Sequence, residues 1–204
     1  MNKLILNAVA VAVAVVFLIG FGVYAQTTGT FKDSRDGKTY KTVKVGDKTW
    51  MAENLNFAAK GSACYENKDA NCTKYGRMYN WNTAVKACPA GFHLPSDDEW
   101  TALVDYADVE KNAGKKLKSK AGWNEGGNGT DDYGWSALPG GYNSGGKLFG
   151  HAGDYGYWWS ATEEDNCNAR YWGGSYGFDG GEVGCVDVMD LDKSALFSVR
   201  CVQD

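Results

Sequence analysis

The chain has only three prolines and two histidines among 204 residues, and none of its six cysteines stands in a Cys-x-x-Cys pair. The shortage of histidine limits base-assisted nucleophilic catalysis to His93 and His151, because a serine or cysteine nucleophile needs a base beside it. The missing Cys-x-x-Cys disfavours a zinc ribbon and a thioredoxin-like redox pair. Positive charge is not in excess: 21 basic against 25 acidic side chains leave a net charge of −4. That balance argues against nucleic acid and against an anionic membrane surface as partners. No long apolar run recurs after residue 25.

The one long apolar run is at the start. Lys3 precedes unbroken apolar sequence from Ala8 to Ile19, then Gly20 and Gly22, then Val23-Tyr24-Ala25. A positive start, an apolar centre and a small-x-small end are the layout of a secretory signal peptide, here residues 1–25 with cleavage after Ala25. The alternative is an uncleaved membrane anchor, the only route by which a membrane enters this reading. Residues 26–32 read as a short linker and 33–204 as one domain. In an exported chain, an even number of cysteines implies disulfides, with fifteen pairings open to six cysteines. The expected location is the cell surface or the extracellular space, with the periplasm also open.

Glycine (27) and aromatics (14%) are abundant, a combination that suits ordered loops pinned by rings. Gly46-Asp47 separates two β-rich runs and predicts a hairpin with strands at 38–45 and 48–54. Residues 79–88 predict a short helix ended by Pro89. Ser96 and Glu99 form a capping box, followed by Trp100, Leu103, Val104 and Ala107 on one helical face. After Lys120 the pattern is loop-like. Residues 157–162 read as a buried strand, 169–178 and 184–188 as short strands, and 196–202 as a continuous central strand. The whole is α+β: an N-terminal β-hairpin, two short helices and a loop-rich set of short antiparallel strands.

Six segments, DGKTYKTVKVGDKTWMAENLN, YGRMYNW, CPAGFHLPSDDEW, GTDDYGWSALPGGY, YWWSATE and FSVRCV, occur in that order. Together they resemble the Fibrobacter succinogenes major paralogous domain family, over about Asp33 to Asp204. That family in turn resembles the C-type lectin-like group, which includes formylglycine-generating-enzyme-like domains. The resemblance implies a C-type lectin-like fold and an exported or surface setting, with no established biochemical activity. It also implies the disulfides Cys88–Cys201 and Cys64–Cys72. Cys167 and Cys185, which lie outside the family's usual pattern, are left to each other. CPAGFHLPSDDEW then reads as scaffold: a disulfide anchor, a turn and a capped helix, with His93 an ordinary loop residue.

Three chemistries remain to be weighed. A formylglycine-type oxidase needs a reactive cysteine pair near the C-terminus, where Cys201 stands alone. Calcium needs converging oxygens. Acids cluster at Asp131 and Asp132, at Glu163, Glu164 and Asp165, and at Asp187, Asp190 and Asp192. No Asp-x-[Asp/Asn]-x-[Asp/Asn]-Gly loop is present, nor the Glu-Pro-Asn and Trp-Asn-Asp elements of calcium-dependent lectins. These acids read as solvated loops, and a structural calcium ion is the only cofactor left open. The aromatics carry the strongest lead. Tyr171, Trp172, Tyr176 and Phe178 sit in a glycine-rich segment flanked by Cys167 and Cys185, and are the candidate ligand-contacting residues. The competing reading puts these rings in the core. The expectation is a surface binding or adhesion module for a polysaccharide or a surface protein, without catalysis. The alternatives are the oxidase or a purely structural envelope protein.

Overall fold

The computed structural model describes residues 27–107, 112–145, 148–175 and 187–204, the side chains of 175 and 187–191 excepted. In chain order the strands are β1 Thr28–Lys32, β2 Thr39–Val45, β3 Lys48–Met51, β4 Ser62–Ala63, β5 Met78–Tyr79, β6 Phe92–His93, β7 Tyr142–Asn143, β8 Phe149–Gly150, β9 Tyr155–Glu163, β10 Asn168–Ser175, β11 Asp187–Asp192, β12 Phe197–Ser198 and β13 Val202–Gln203. The helices are α1 Asp69–Tyr75, α2 Trp81–Ala87, α3 Asp97–Ala107 and α4 Ala113–Leu117. One sheet runs β1-β2-β3-β13-β6, a second β11-β10-β9-β12-β5-β4, and β7 pairs with β8 alone. The architecture is mixed α+β. Among the described residues no helix is long and apolar enough to cross a membrane; the N-terminal segment lies outside them.

The predicted hairpin forms, with Val45 opposite Lys48. Gly46 supplies the left-handed backbone (φ 60°) that a two-residue turn requires. Asn80 caps α2, its side chain accepting from the Thr83 N–H at 3.0 Å. The capping box is also present: the Glu99 carboxylate accepts from the Ser96 N–H at 3.0 Å, and the Ser96 hydroxyl accepts from the Glu99 N–H at 3.3 Å. Trp100, Leu103 and Ala107 turn into the core on the face that the spacing predicts.

Three expectations need correction. Residues 28–32, read as linker, form β1 and pair with β2. α1 begins inside the loop that Cys64 and Cys72 close. α1 and α4 also make the helices more than the two expected. The run 196–202 is not one strand. β12 pairs with β5 and β9 in one sheet, and β13 pairs with β3 and β6 in the other. The chain crosses between sheets at residues 199–201, with Val199, Arg200 and Cys201 all fully buried. Crossing there joins the two sheets covalently at the centre of the molecule.

The core has two lobes. One gathers Met51, Leu55, Tyr79, Trp159, Tyr171 and Phe197. The other is built on indoles: Trp100 packs against Trp50, Trp135, Trp158 and Trp172 at centroid distances of 5.2 to 6.4 Å. Two disulfides staple this frame, Cys64–Cys72 and Cys88–Cys201.

Candidate functional site

β9 carries Tyr155, Tyr157 and Trp159 on one face, because alternate residues of a strand share a side. Trp159 is fully buried, while Tyr155 and Tyr157 are half-buried toward the strand's start. Gly173 of β10 lies opposite Tyr157 and has no side chain to cover its ring; a Cβ there would sit 3.0 Å from the Tyr157 Cδ1. β7 brings Tyr142 to the same place. Gly141 permits this close approach, since a Cβ on it would stand 2.3 Å from the Gly150 carbonyl oxygen. The turn after β8 adds His151, exposed and held in the left-handed region at φ 64°. Left-handed backbone outside glycine costs energy and persists only where the surroundings enforce it.

These residues form a cup of about 210 Å³ lined by Tyr142, His151, Tyr157, Tyr171 and Phe197. The rings have a definite arrangement. Tyr142 and His151 are parallel within 12° at 5.6 Å, and Tyr155 and Tyr157 within 6° at 5.8 Å. The two pairs stand at right angles: Tyr142 to Tyr157 is 82° and His151 to Tyr155 is 80°. Phe197 stacks beneath Tyr157 at 5.3 Å. Burial, together with the neighbouring phenols Tyr171, Tyr155 and Tyr142, raises the Tyr157 pKa far above the usual phenol range. Its hydroxyl is therefore a neutral group at any physiological pH. The lining offers flat apolar faces, hydroxyls and an imidazole, and no side chain of fixed charge.

Of the four ring residues proposed from sequence, Trp172 is corrected to the core. It is 4% exposed, stacks on Trp100 at 6.0 Å, and donates its indole N–H to Asp97 at 2.8 Å. Tyr171 is 7% exposed and contributes to the cup only as part of its wall. β10 lies between β9 and β11 with both faces covered, so consecutive residues enter opposite core lobes. Tyr176 and Phe178 lie outside the described residues. Cys167 is exposed and makes no disulfide among the described residues; Cys185 lies outside them, and the expected Cys167–Cys185 pairing with it. Sequence reasoning missed Tyr142, Tyr157 and Phe197 and weighed His151 only as a base. The available signal was the Tyr155-x-Tyr157 alternation leading out from a buried tryptophan.

The acidic clusters are engaged locally. Asp131 accepts from the Ser136 N–H and hydroxyl, and Asp165 from the N–H groups of Cys167 and Asn168. Glu163 pairs with Lys193, and Glu164 with Arg170. Among the described residues no three His, Cys, Asp or Glu side chains gather as a metal site would require. The side chains of Asp187 and Asp190 are outside that set.

His93 is not the simple loop residue expected. Its Nδ1 lies 2.6 Å from Asp204, and its Nε2 is 3.0 Å from Glu99, which also pairs with Lys48 at 3.0 Å. Burial lowers the His93 pKa, but the bonds to Asp204 and Glu99 outweigh it and the net direction is upward. For Glu99, burial acts upward, and the Ser96 N–H, Lys48 and His93 together bring the net shift down. A raised histidine stabilises fully below its unfolded pKa of about 6.5 and loses that contribution as pH rises through its folded pKa. A depressed carboxylate stabilises above its unfolded pKa of about 4.3 and loses that as pH falls through its folded value. The cluster should therefore hold best between those limits. Urea midpoints measured from pH 5.5 to 8.5 should fall with rising pH, and His93→Gln should flatten that decline. An equal decline in both proteins would remove His93 as its source.

A family model, the Fibrobacter succinogenes major domain, matches residues 43–203. No curated protein and no solved structure matches the chain.

Proposed function

The chain belongs to the Fibrobacter succinogenes major domain family, and we propose that it is an exported, non-catalytic binding module of C-type lectin-like build whose contact site is the aromatic cup. The observation that carries this reading is the cup itself: five ring side chains from β7, the turn after β8, β9, β10 and β12, converging on one open space. Binding residues gather where loops are held by a rigid frame, and this frame is fixed by two disulfides. Those disulfides also support export, since cross-links persist in oxidising compartments. The partner is a polysaccharide or a surface protein. Against the oxidase stands the state of Cys201, fully buried and bonded to Cys88; a reactive thiol must be reachable.

The test is a binding screen of the full chain against polysaccharides and purified surface proteins, repeated with Tyr142→Ala and Tyr157→Ala. Both rings are half-buried, so each variant should stay folded. Each should weaken binding by about 1–3 kcal/mol, the range for a ring at the centre of a contact. Binding unchanged in both variants would move the site elsewhere on the surface.

A further inference from the structure

We infer that the cup takes one pyranose unit of a neutral saccharide, without a metal ion, and that His151 reads one of its hydroxyls. This rests on the cup being the contact site.

The lining decides the chemistry. A pyranose has a C–H face and a hydroxyl rim. The cup matches both, with ring planes meeting at right angles and carrying phenol hydroxyls and an imidazole at their edges. Tyr142, His151, Tyr157, Tyr171 and Phe197 include no Asp, Glu, Lys or Arg. An acidic sugar would leave its carboxylate without a counter-charge there, and a buried charge without a partner is strongly unfavourable. A metal ion bridging to sugar hydroxyls would find no carboxylate in this lining.

Ring spacing argues against the other ligand of aromatic sites, a quaternary ammonium. A cation bound by several rings sits among their faces, so the rings must stand apart around it. Here they touch one another, with Tyr142–Tyr157 at 5.6 Å and Tyr157–Phe197 at 5.3 Å. Their faces are largely taken up by one another, which leaves few free to surround a cation. Size gives the extent. At about 210 Å³ the cup is smaller than a pocket for a drug-sized ligand, about 300–1,000 Å³. It suits a single sugar ring, with the rest of the chain continuing into solvent.

His151 is the residue suited to specificity. Its ring is fixed between the parallel Tyr142 ring at 5.6 Å and the Tyr155 ring, edge-on at 5.1 Å. Its backbone is held in a conformation that a non-glycine residue rarely adopts. A ring positioned in this way presents a nitrogen to the cup at little further entropic cost on binding.

The experiment is calorimetric titration of the full chain, in EDTA, with neutral oligosaccharides of glucose, galactose, mannose and xylose, with uronate oligosaccharides, and with tetramethylammonium. NMR of ring-labelled tyrosines runs in parallel. At least one neutral oligosaccharide should bind in EDTA and shift tyrosine signals that Tyr142→Phe and Tyr157→Phe identify. Tyr142→Ala should weaken that binding tenfold or more. His151→Asn, which tolerates the left-handed backbone, should weaken it several-fold with near-ultraviolet circular dichroism unchanged. Shifts of those tyrosines by uronates or tetramethylammonium alone would overturn the ligand class and leave the site standing. Neutral-sugar binding that moves no cup tyrosine and survives Tyr142→Ala would overturn the site. An unaffected His151→Asn would overturn its reading role, and binding lost in EDTA the metal-free claim. Failure of every probe would overturn the inference.

Discussion

Replacing Arg200 with methionine should lower the unfolding free energy by about 3–5 kcal/mol, because several buried acceptors lose their charged donor at about 1–3 kcal/mol each. Arg200 is fully buried. Its Nε and Nη2 donate to the Asn54 side-chain oxygen at 3.0 and 2.8 Å, and its Nη1 to the Met51 carbonyl at 3.2 Å and the Trp135 carbonyl at 2.5 Å. Nη2 also reaches the Ser136 carbonyl at 3.3 Å. The guanidinium lies 4.1 Å over the Trp135 ring. No carboxylate forms a salt bridge with it among the described residues, so carbonyl dipoles and an indole face hold the charge. Burial brings its pKa down to about 9, which keeps it cationic at neutral pH. Methionine fills much of the space and donates nothing, and each buried acceptor left bare costs about 1–3 kcal/mol. Lysine keeps the charge but has no planar fork and cannot reach the same set of acceptors. It should recover less than half the loss. Urea unfolding followed by tryptophan fluorescence measures both. A loss under 1 kcal/mol for Arg200→Met would mean that the network is not a keystone.

That network also shows what the sequence could and could not disclose. Local signals were readable because they act over a few residues: the Gly46-Asp47 turn, the Ser96–Glu99 capping box, and the face of Trp100, Leu103 and Ala107. Motif order disclosed the family, and through it both disulfides seen in the structure. Asn54 and Arg200 sit inside two of the quoted motifs, yet their partnership spans 146 positions and leaves no local periodicity. Trp172 was offered as a contact ring because glycines around a ring run leave surface and core equally open. Here the glycines instead make room for rings from the neighbouring strand, as Gly173 does for Tyr157. The split of the last strand was hidden for a related reason. An apolar run interrupted by one arginine reads as a strand with a polar side, and only the assembled core shows that the arginine also points inward.

The second large effect lies one residue further along. Removing the Cys88–Cys201 disulfide as Cys88→Ala with Cys201→Ala should cost about 4–5 kcal/mol. The two cysteines are 113 positions apart. In the chain-entropy view a bridge restricts the unfolded ensemble more as the closed loop lengthens, by about 4.7 kcal/mol for roughly a hundred residues. Cys64–Cys72 closes a separation of only 8, and the same relation gives about 2–3 kcal/mol for it. The longer bridge also anchors a critical place. Cys201 lies where the chain passes between sheets, and its carbonyl accepts from the Met51 N–H at 2.9 Å, beside the Arg200 contacts. Cys88 closes α2, so the bridge ties that helix to the crossing point. Unfolding of the two double variants by urea should therefore rank the long loop well above the short one. The long-loop variant should also show the larger rise in denaturant dependence, because its unfolded chain is freer to expand. Equal losses from the two bridges would show that loop closure is not what makes them stabilising. The native contacts around each sulfur would then have to carry the difference between the folded and unfolded chain.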